Sequence, residues 1–408
     1  MTEWKVPLFD LDLGEEEYER VRSVLDSNWL TMGPMTKDFE HAFAEYLGVK
    51  HALAVSSGTA AMHLAHDALG LEQGDEILCP SLTFVATANA VLYTGATVVF
   101  ADIASLDDPT VSPDDIESRI TERTRGIVVV HYAGFPCRMD RIIEIARDRD
   151  LFVIEDAAHA VGAEYISSRL KAPSSKSNDG QRSTVNDQGS TINGKIFKLG
   201  TIGDIGCFSF FGNKNMTTAE GGMVVTNRDD LAEKIRIARS HGMTSLTWDR
   251  HKGHDYTYDV VGPGFNYRID ELRSSLGIVQ LNKLERNNRK RRSFWTLYQD
   301  MLDGMKEIRL PFAEFEGISS CHICPILLSE NVNRDALMGY LRRQGVQTSI
   351  HYPPIHQFSY YKRRLPHSTR LPLTESVGRK EVTLPLFPTM EERDVVYVVD
   401  AVKSFLSG

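Results

Sequence analysis

Short apolar runs alternate with amphipathic segments along the first half of the chain. The apolar runs predict strands, and the segments between them, in which apolar residues recur at helical spacing, predict helices. The predicted strands cover residues 51–55, 76–79, 97–101, 126–131 and 151–155, and the predicted helices cover 59–71, 83–93 and 139–149. Strands that alternate with helices in this way form a largely parallel sheet with helices on both faces.

The pattern changes in the last third of the chain. A helix is predicted from about Asp270 to Arg289, and a strand at 323–328 with helices at 334–344 and 391–405 indicates an α+β unit beyond it. A chain of 408 residues is also too long for one core of average size. We therefore predict an α/β protein whose large domain covers residues 1–260 and whose smaller C-terminal domain, 261–408, includes the linking helix.

One stretch, residues 166–194, is almost empty of apolar side chains. Its Ser, Asn, Gly and Gln residues cannot bury enough surface to offset the entropy lost on ordering. We interpret it as a mobile surface insertion in the large domain. It lies between Asp156 and Lys214 in the sequence, so it is either an element at the mouth of a cleft or an inert linker.

The charge of the chain excludes some classes of partner. A net charge of -9 and a pI near 5.8 argue against nucleic acid, which requires a basic face. The basic cluster at 286–292 is interpreted as a solvated helix face. No apolar run approaches the roughly 20 residues that span a bilayer, and the N-terminus lacks a signal pattern. We predict a cytoplasmic protein that does not bind membranes.

The chain has five cysteines, an odd number that suits reduced thiols in a reducing compartment. Cys321 and Cys324 form a single CxxC. Without a second CxxC or a thioredoxin-like context, this pair is weak evidence for zinc or redox chemistry. We interpret residues 321–328 as a buried strand and predict no metal site.

Polar residues follow several of the predicted strands, where ligands bind in open α/β sheets. The turn at 57–60, Ser-Gly-Thr-Ala, leads from a strand into a helix. Glycine lets the backbone approach an anion, and the N-terminus of a helix binds phosphate. Such a turn is also an ordinary helix cap. Ser209, near the end of the predicted strand 206–210, is a second candidate phosphate ligand.

Two charged residues complete the candidate chemistry. Asp156 ends an apolar strand, where a carboxylate needs a cationic partner such as a protonated ring nitrogen, an arginine or a helix N-terminus. Lys214 lies in a loop between two apolar strands, where desolvation lowers its pKa and makes it nucleophilic. A lysine that forms an imine, a carboxylate for a pyridine nitrogen and a phosphate cradle are what a pyridoxal phosphate (PLP) site requires.

Several ordered motifs closely resemble those of the DegT/DnrJ/EryC1/StrS family of PLP-dependent sugar aminotransferases. They are SSGTAAMH, GDEILCPSLTFVATANAV, VHYAGFPCRMDRI, VIEDAAHAVGAEY, GDIGCFSFFGNKNMTTAEGGMVVTN, GFNYRIDELRSSLG and LPLFPTM. The resemblance extends from about Val6 to Phe405, and only residues 166–194 are foreign to it. It implies the aspartate aminotransferase-like architecture known as fold type I, with PLP as cofactor.

The resemblance implies a role for each candidate residue. Lys214 matches the lysine that binds the cofactor as a Schiff base and then moves protons, and Asp156 matches the partner of the pyridine nitrogen. His159 matches the residue near the cofactor's phenolic oxygen, and Phe84 matches the aromatic side chain stacked on the ring. The residues that match the phosphate cradle are Gly58, Thr59, Ala60 and Ser209.

Further positions of the resemblance concern the partner subunit and the substrate. Asn266 matches an asparagine that reaches the phosphate from the neighbouring subunit, which implies a homodimer with shared active sites. His351, Tyr352 and His356 match a segment near the sugar nucleotide. The residues before Lys214, Phe-Gly-Asn at 211–213, depart from the family, which often has His or Ser near the first position. This departure affects the predicted sugar pocket.

The resemblance implies amino transfer, with L-glutamate as donor, to a keto sugar nucleotide in amino sugar and polysaccharide biosynthesis. Relatives that dehydrate sugars have histidine in place of the lysine, so Lys214 favours amino transfer. A PLP-dependent sugar dehydratase and a non-catalytic regulator that binds PLP or a sugar nucleotide stay open as alternatives. The motifs leave open the sugar, the nucleotide and the aminated carbon, and a keto-inositol is an alternative acceptor.

Overall fold

The computed structural model describes residues 4–170, 184–185, 191–192, 194–244, 257–315, 317–364 and 369–408. Most of the predicted insertion, 166–194, lies outside the described residues, so its predicted mobility stays a prediction. Its two ends are described: they pair as antiparallel strands, with Ile166 opposite Ile196. The insertion therefore leaves and re-enters the fold at one place. No helix in the described ranges is both long and apolar enough to cross a bilayer.

The described ranges contain the following strands and helices. The strands are β1 His51–Val55, β2 Glu76–Pro80, β3 Thr97–Ala101, β4 Thr124–Val130, β5 Phe152–Asp156, β6 Glu164–Ser167, β7 Thr184–Val185, β8 Thr191–Ile192, β9 Lys195–Lys198, β10 Ile205–Ser209, β11 Gly222–Thr226, β12 Ile308–Arg309, β13 Cys324–Leu328 and β14 Glu381–Leu384. The α-helices are α1 Glu15–Asp26, α2 Pro34–Leu47, α3 Gly58–Ala68, α4 Ala86–Tyr93, α5 Pro113–Ser118, α6 Met139–Asp148, α7 Asp229–Ala238, α8 Glu271–Leu302, α9 Arg334–Arg343, α10 Ser359–Lys362, α11 Pro372–Lys380 and α12 Glu392–Ser407.

A seven-stranded sheet in the order β1-β11-β10-β5-β4-β2-β3 forms the centre of the large part of the chain. All its strands run in one direction except β11, which is antiparallel to both of its neighbours. The predicted largely parallel sheet is confirmed. Because β10 and β11 are antiparallel neighbours, the chain joins them without a crossover helix. The connection, residues 210–221, therefore stays at the carboxyl end of β10.

Helices pack on both faces of this sheet, so the carboxyl edge of the sheet is held in place. On one face, Phe43 of α2 packs against Phe208 and Phe210, with ring centroids 5.2 and 5.5 Å apart. On the other face, Leu64 of α3 and Val91 of α4 lie in the second core of the sheet. The end of β10 is thus held between two packed layers.

Helix α8 connects two hydrophobic cores. Asp270 immediately precedes the first residue of this helix, Glu271, and caps it by accepting a hydrogen bond from the Arg273 N–H. Leu284 lies in the core under the central sheet, and Tyr298 lies in the core of the C-terminal part. The predicted end at Arg289 is wrong, because apolar spacing resumes after the basic run and keeps the helix packed as far as Leu302.

The interpretation of the basic cluster as a solvated face is wrong for one member. Arg289 and Lys290 are exposed, but Arg291 is buried. The Arg291 Nη1 donates to the backbone oxygens of His322 at 3.2 Å and of Leu386 at 2.7 Å. A guanidinium with fixed donors satisfies these carbonyls, which would otherwise be buried without partners.

The C-terminal part contains a three-stranded antiparallel sheet, β12-β13-β14, covered by helices such as α12. A smaller α+β unit is therefore present, while its predicted boundary at residue 260 stays a prediction. Strand β13 begins only at Cys324, so the continuous strand predicted over 321–328 is wrong at its first three residues. Cys321 has a positive φ of 45°, which a strand does not allow. Both side chains are buried, and neither cysteine forms a disulfide bond in the described structure.

Candidate active site

A cavity of about 380 Å³ lies at the carboxyl edge of the central sheet, next to the N-terminus of α3. Side chains after β5 and β10 and from the segment 351–352 converge on it, as expected for a ligand site in an open α/β sheet. Its lining includes Ser57, Gly58, Thr59, Thr83, Phe84, Thr87, Asp156, His159, Ser209, Phe211, Asn213, Lys214, Glu220, His351 and Tyr352. A larger cavity, of about 620 Å³, lies along the end of α8, and no predicted site residue is among its described lining residues.

Three predicted site residues do not line the 380 Å³ cavity in the described structure. The Ala60 N–H donates to the Ser57 hydroxyl at 3.1 Å, inside the helix cap. Asn266 is exposed and pairs with Ser240. His356 is buried, with its Nδ1 2.7 Å from the Ser81 hydroxyl. The predicted roles of these three residues stay predictions.

Asp156 is the last residue of β5 and is buried. Its Oδ2 accepts a hydrogen bond from the Thr87 hydroxyl at 2.7 Å, and its Oδ1 accepts one from the Ala158 N–H at 3.2 Å. Burial raises the pKa of Asp156, against these hydrogen bonds and the positive charge of Lys214. Among the described residues no ion pair holds this carboxylate. A buried carboxylate of this kind is suited to a cationic ligand group.

Lys214 lies in the β10–β11 connection, where its backbone N–H donates to the Phe211 oxygen at 2.9 Å. The side chain is half-buried at the cavity. Burial lowers the pKa of Lys214 to about 8, although the negative charge of Asp156 acts in the opposite direction. The amine is therefore neutral and nucleophilic at a lower pH than an exposed lysine.

The neighbouring residue, Asn215, anchors the lysine loop. Its amide nitrogen donates to Asn288 Oδ1 and to the Ser320 backbone oxygen, both at 2.8 Å. Its amide oxygen lies 2.8 Å from His322 Nδ1. All these groups are buried, so the hydrogen bonds fix the loop against α8 and the segment before β13. This restricts the positions that Lys214 can adopt.

The first turn of α3 meets the end of β10 at Gly58. A Cβ atom placed on Gly58 would lie 2.8 Å from the Ser209 Cβ and 3.2 Å from its hydroxyl oxygen, so a side chain is excluded. The glycine thereby brings the serine hydroxyl beside the helix N-terminus. N–H groups in the first turn of a helix have no intrahelical acceptor, and the helix dipole favours an anion there. This arrangement is suited to a phosphate group.

His159 is buried beside the cavity, with its Nε2 2.9 Å from the Tyr352 hydroxyl. Its Nδ1 has no hydrogen-bond partner among the described residues. Burial and the positive charge of Lys214 hold the pKa of His159 well below its usual range, so the ring is neutral at neutral pH. Phe84 is 57% exposed, which leaves an aromatic face available at the cavity.

The donors and acceptors of the cavity fit PLP. Asp156 supplies a buried negative charge for a protonated ring nitrogen, and Lys214 supplies an amine for the aldehyde. The N-terminus of α3 and Ser209 supply donors for the phosphate. The unpaired Nδ1 of His159 supplies a polar atom for the phenolic oxygen. Each polar group of the cofactor therefore has a protein group of matching chemistry.

The hydrophobic pattern does not identify Thr87 or Asn215. Thr87 is one of several hydroxyl residues near the start of α4, and nothing in its spacing points to the distant Asp156. Asn215 adjoins Lys214 in the sequence, so proximity to a candidate lysine is the one available signal. The partners that give both residues their roles are distant in sequence.

The sequence profile of the DegT/DnrJ/EryC1/StrS aminotransferase family matches residues 11–403. The chain is 34% identical over 404 residues to the spore coat polysaccharide biosynthesis protein SpsC of Bacillus subtilis, covering 97% of this chain and 96% of SpsC. It is also similar to S. venezuelae DesV, solved in complex with a ketimine intermediate, at 32% identity and a TM-score of 0.84, covering 99% of both chains.

A further similar structure is DesI, solved in the presence of its TDP-sugar product, at 28% identity and a TM-score of 0.82, covering 99% of this chain and 93% of DesI. The similarity to DesV and DesI extends over the central sheet and the C-terminal part alike. It confirms the predicted aspartate aminotransferase-like fold type I. The chain belongs to the DegT/DnrJ/EryC1/StrS aminotransferase family.

Proposed function

We propose that this protein transfers an amino group from L-glutamate to a keto sugar nucleotide, with PLP bound covalently to Lys214. The observation that carries the proposal is the meeting of Lys214, Asp156 and the N-terminus of α3 in one cavity. The TDP-sugar product of DesI and the polysaccharide pathway of SpsC support a sugar nucleotide as substrate class. A cytoplasmic location is proposed with it, supported by five cysteines that form no disulfide bond in the described structure.

The residues that would hold the cofactor follow from the donors in the cavity. Asp156 would pair with the ring nitrogen, and Gly58, Thr59 and Ser209 would bind the phosphate. Phe84 would cover one face of the ring. When bound, the cofactor supplies an electron-poor ring that accepts the electron pair left when a C–H bond next to nitrogen is broken.

Lys214 is proposed to carry the protons of both half-reactions. Its Nζ takes the proton from the donor carbon that carries nitrogen, and in the second half-reaction it delivers a proton to the former keto carbon of the sugar. A group that acts as both base and acid works best with a pKa near the operating pH. Burial lowers the pKa of Lys214 to about 8, closer to neutral pH than that of an exposed lysine, which suits this double role.

The reactivity of Lys214 in the cofactor-free protein is expected to rise with pH through a midpoint at about 8. Only the neutral amine reacts, and burial lowers its pKa, so the reactive form dominates above that pH. Competitive labelling with acetic anhydride, read by peptide mass spectrometry, measures the midpoint, and exposed Lys290 serves as the internal reference. Because the charge of Asp156 raises the pKa of Lys214, Asp156→Asn should lower the midpoint. A higher midpoint in that variant contradicts the assignment.

The proposed active unit is a homodimer with shared active sites. Glutamate carries two carboxylates and PLP a phosphate, whereas Lys214 is the one cationic side chain among the described lining residues. Further donors are therefore expected from a second copy of the chain. Asn266 is exposed and lies outside the cavity of its own chain, which suits a residue that reaches the phosphate of its partner.

Mixing two variants that are each expected to lose activity tests the shared site. In a mixed dimer of Lys214→Ala and Asn266→Ala subunits, one site combines a native Lys214 with a native Asn266 from the other subunit. We expect mixing with subunit exchange to restore up to about half of the activity per dimer, since one of two sites is intact. Each homodimer treated alone is the control. If the activity of the mixture does not exceed the summed activities of the two separate homodimers, a site shared through Asn266 is contradicted.

The proposed reaction is tested with ¹⁵N-labelled glutamate and a panel of keto sugar nucleotides carrying UDP, dTDP or GDP, together with a keto-inositol. Amino transfer places ¹⁵N in the sugar and produces 2-oxoglutarate, both detected by mass spectrometry. A dehydratase instead yields a product that has lost water and contains no ¹⁵N. A regulator binds the cofactor or the sugar nucleotide without turnover. Either of the last two results across the whole panel overturns the proposal.

A further inference from the structure

Tyr352 and His159 are distant in the sequence, and their side chains meet beside the cavity. Their hydroxyl oxygen and Nε2 are 2.9 Å apart. A neutral imidazole carries one proton, on either Nδ1 or Nε2. The hydrogen bond at one nitrogen therefore decides whether the other nitrogen carries the proton. The His159 Nδ1 is buried and has no hydrogen-bond partner among the described residues.

The direction of this hydrogen bond follows from the surroundings of Tyr352. Burial and the negative charges of Asp156 and Glu381 raise the pKa of the Tyr352 hydroxyl, so it keeps its proton. Its contact with His159 is the one hydrogen bond that the described structure gives this hydroxyl. Either direction leaves one proton without a described acceptor, on the Tyr352 hydroxyl or on His159 Nδ1. A phenol is a stronger hydrogen-bond donor than an imidazole N–H, and an imidazole nitrogen is a stronger acceptor than a phenol oxygen, so the arrangement in which Tyr352 donates is favoured.

We propose that Tyr352 is a positioning residue that donates its hydroxyl proton to Nε2 of His159 and thereby keeps the histidine proton on Nδ1, the ring nitrogen that has no partner in the described structure. His159 then presents an N–H donor to an anionic oxygen of the ligand. The consequence for PLP, whose phenolic oxygen is such an acceptor, rests on the proposed function. The proposed tautomer does not rest on the proposed function, because Tyr352 and His159 are in contact in the protein without the cofactor.

The backbone before Tyr352 is held in place by a buried network. The His351 N–H donates to Glu381 Oε2 at 2.8 Å, and the His351 carbonyl accepts a hydrogen bond from the Tyr132 hydroxyl. The His351 ring bonds through Nδ1 to the Thr383 hydroxyl at 2.8 Å. Both polar backbone groups and the side chain of His351 are therefore fixed. The hydroxyl of the next residue approaches His159 from a rigid frame that β14 supports.

The other side of His159 is equally constrained. The Ser320 hydroxyl donates to the His159 backbone oxygen at 2.6 Å, and the rings of His159 and His322 lie 4.2 Å apart. The titratable groups around the ring are Lys214, His322, His351 and Tyr352. Of these four residues, only Tyr352 has a described hydrogen bond to the imidazole of His159. Tyr352 therefore decides its tautomer.

The tautomer is measured in the cofactor-free protein by long-range ¹H–¹⁵N NMR with labelled histidine, where His159→Gln identifies the signal of His159. We expect the Nδ1–H form in the native protein. Tyr352→Phe keeps the ring and removes the hydroxyl, so a substantial Nε2–H population should appear. Tyr361→Phe is the matched control, because its hydroxyl bonds to Asn89 Oδ1 at 2.6 Å and not to His159. An Nδ1–H form that persists in Tyr352→Phe overturns the proposal.

Cofactor affinity provides a second readout. Tyr352→Phe is expected to raise the dissociation constant for PLP about tenfold, the effect of one weakened hydrogen bond to a charged acceptor. In the His159→Gln background, where an amide donates regardless of tautomer, the same substitution should have little effect. A positioning role is contradicted if Tyr352→Phe weakens PLP binding equally in the native and His159→Gln backgrounds. It is also contradicted if Tyr352→Phe changes only KM for the sugar. If the tautomer changes as expected but the native protein binds no PLP, the proposed function fails and the tautomer assignment stands.

Discussion

Replacing Lys214 with alanine is expected to lower kcat for amino transfer by about 1,000-fold or more, because proton transfer by a positioned side chain contributes roughly 10²–10⁴-fold. The variant is also expected to lose the proposed covalent bond between Lys214 and the cofactor. Single-turnover transfer of ¹⁵N from glutamate measures the effect. Since the loop is anchored through Asn215 rather than through the lysine side chain, the fold should be retained.

Lys290→Ala removes an exposed lysine of α8 and should leave the rate unchanged. Borohydride reduction followed by mass spectrometry should attach the cofactor to the native chain and not to Lys214→Ala. A small amine such as methylamine is expected to restore part of the lost activity, because it fills the space of the missing base. A Lys214→Ala protein with native turnover would show that another group carries the proton.

Replacing Asp156 with asparagine is expected to lower kcat by roughly 100-fold. Asparagine has the shape of aspartate but no charge, so a cationic ring nitrogen would face a neutral partner. Removing one preorganised electrostatic group from an active site typically lowers kcat by about 10²–10³-fold. Steady-state kinetics with saturating glutamate measure the loss, and the protonation of the ring is followed by its absorption spectrum.

Thr87→Val is the matched control for this prediction. It removes the hydrogen bond to Asp156 Oδ2 but keeps the charge, so its effect should be about tenfold, near the value of one hydrogen bond to a charged group. An Asp156→Asn loss no larger than that of Thr87→Val would mean that the charge of Asp156 has no special role. The buried carboxylate would then serve structure alone.

The position of the site is largely readable from the sequence, because each of its main residues follows a strand. The apolar runs that end at Val55, Asp156 and Ser209 are short and clear. Their carboxyl ends meet at one edge of a parallel sheet, so the residues beyond them must be close. The motifs around Lys214 then identify the family, which residue spacing alone does not achieve.

Other features have no local signal. Helix α8 continues past the basic run at 289–292 because its second half packs on a separate core, which a charge pattern does not show. Arg291 is buried although Arg289 and Lys290 beside it are exposed, because two distant backbone carbonyls accept its hydrogen bonds. The antiparallel direction of β11 depends on a connection without a crossover helix, and apolar runs carry no information on strand direction.

The amino-acid sequence alone establishes the fold class, the family and the candidate functional residues, because hydrophobic periodicity and short motifs are local properties. The tertiary structure decided how those residues behave. The pKa of Lys214 falls through burial, Asp156 meets the hydroxyl of a threonine 69 positions away, and His159 meets a tyrosine 193 positions away. Burial and contacts between distant residues exist only in the folded chain, and these set the protonation and orientation on which the proposed reaction depends.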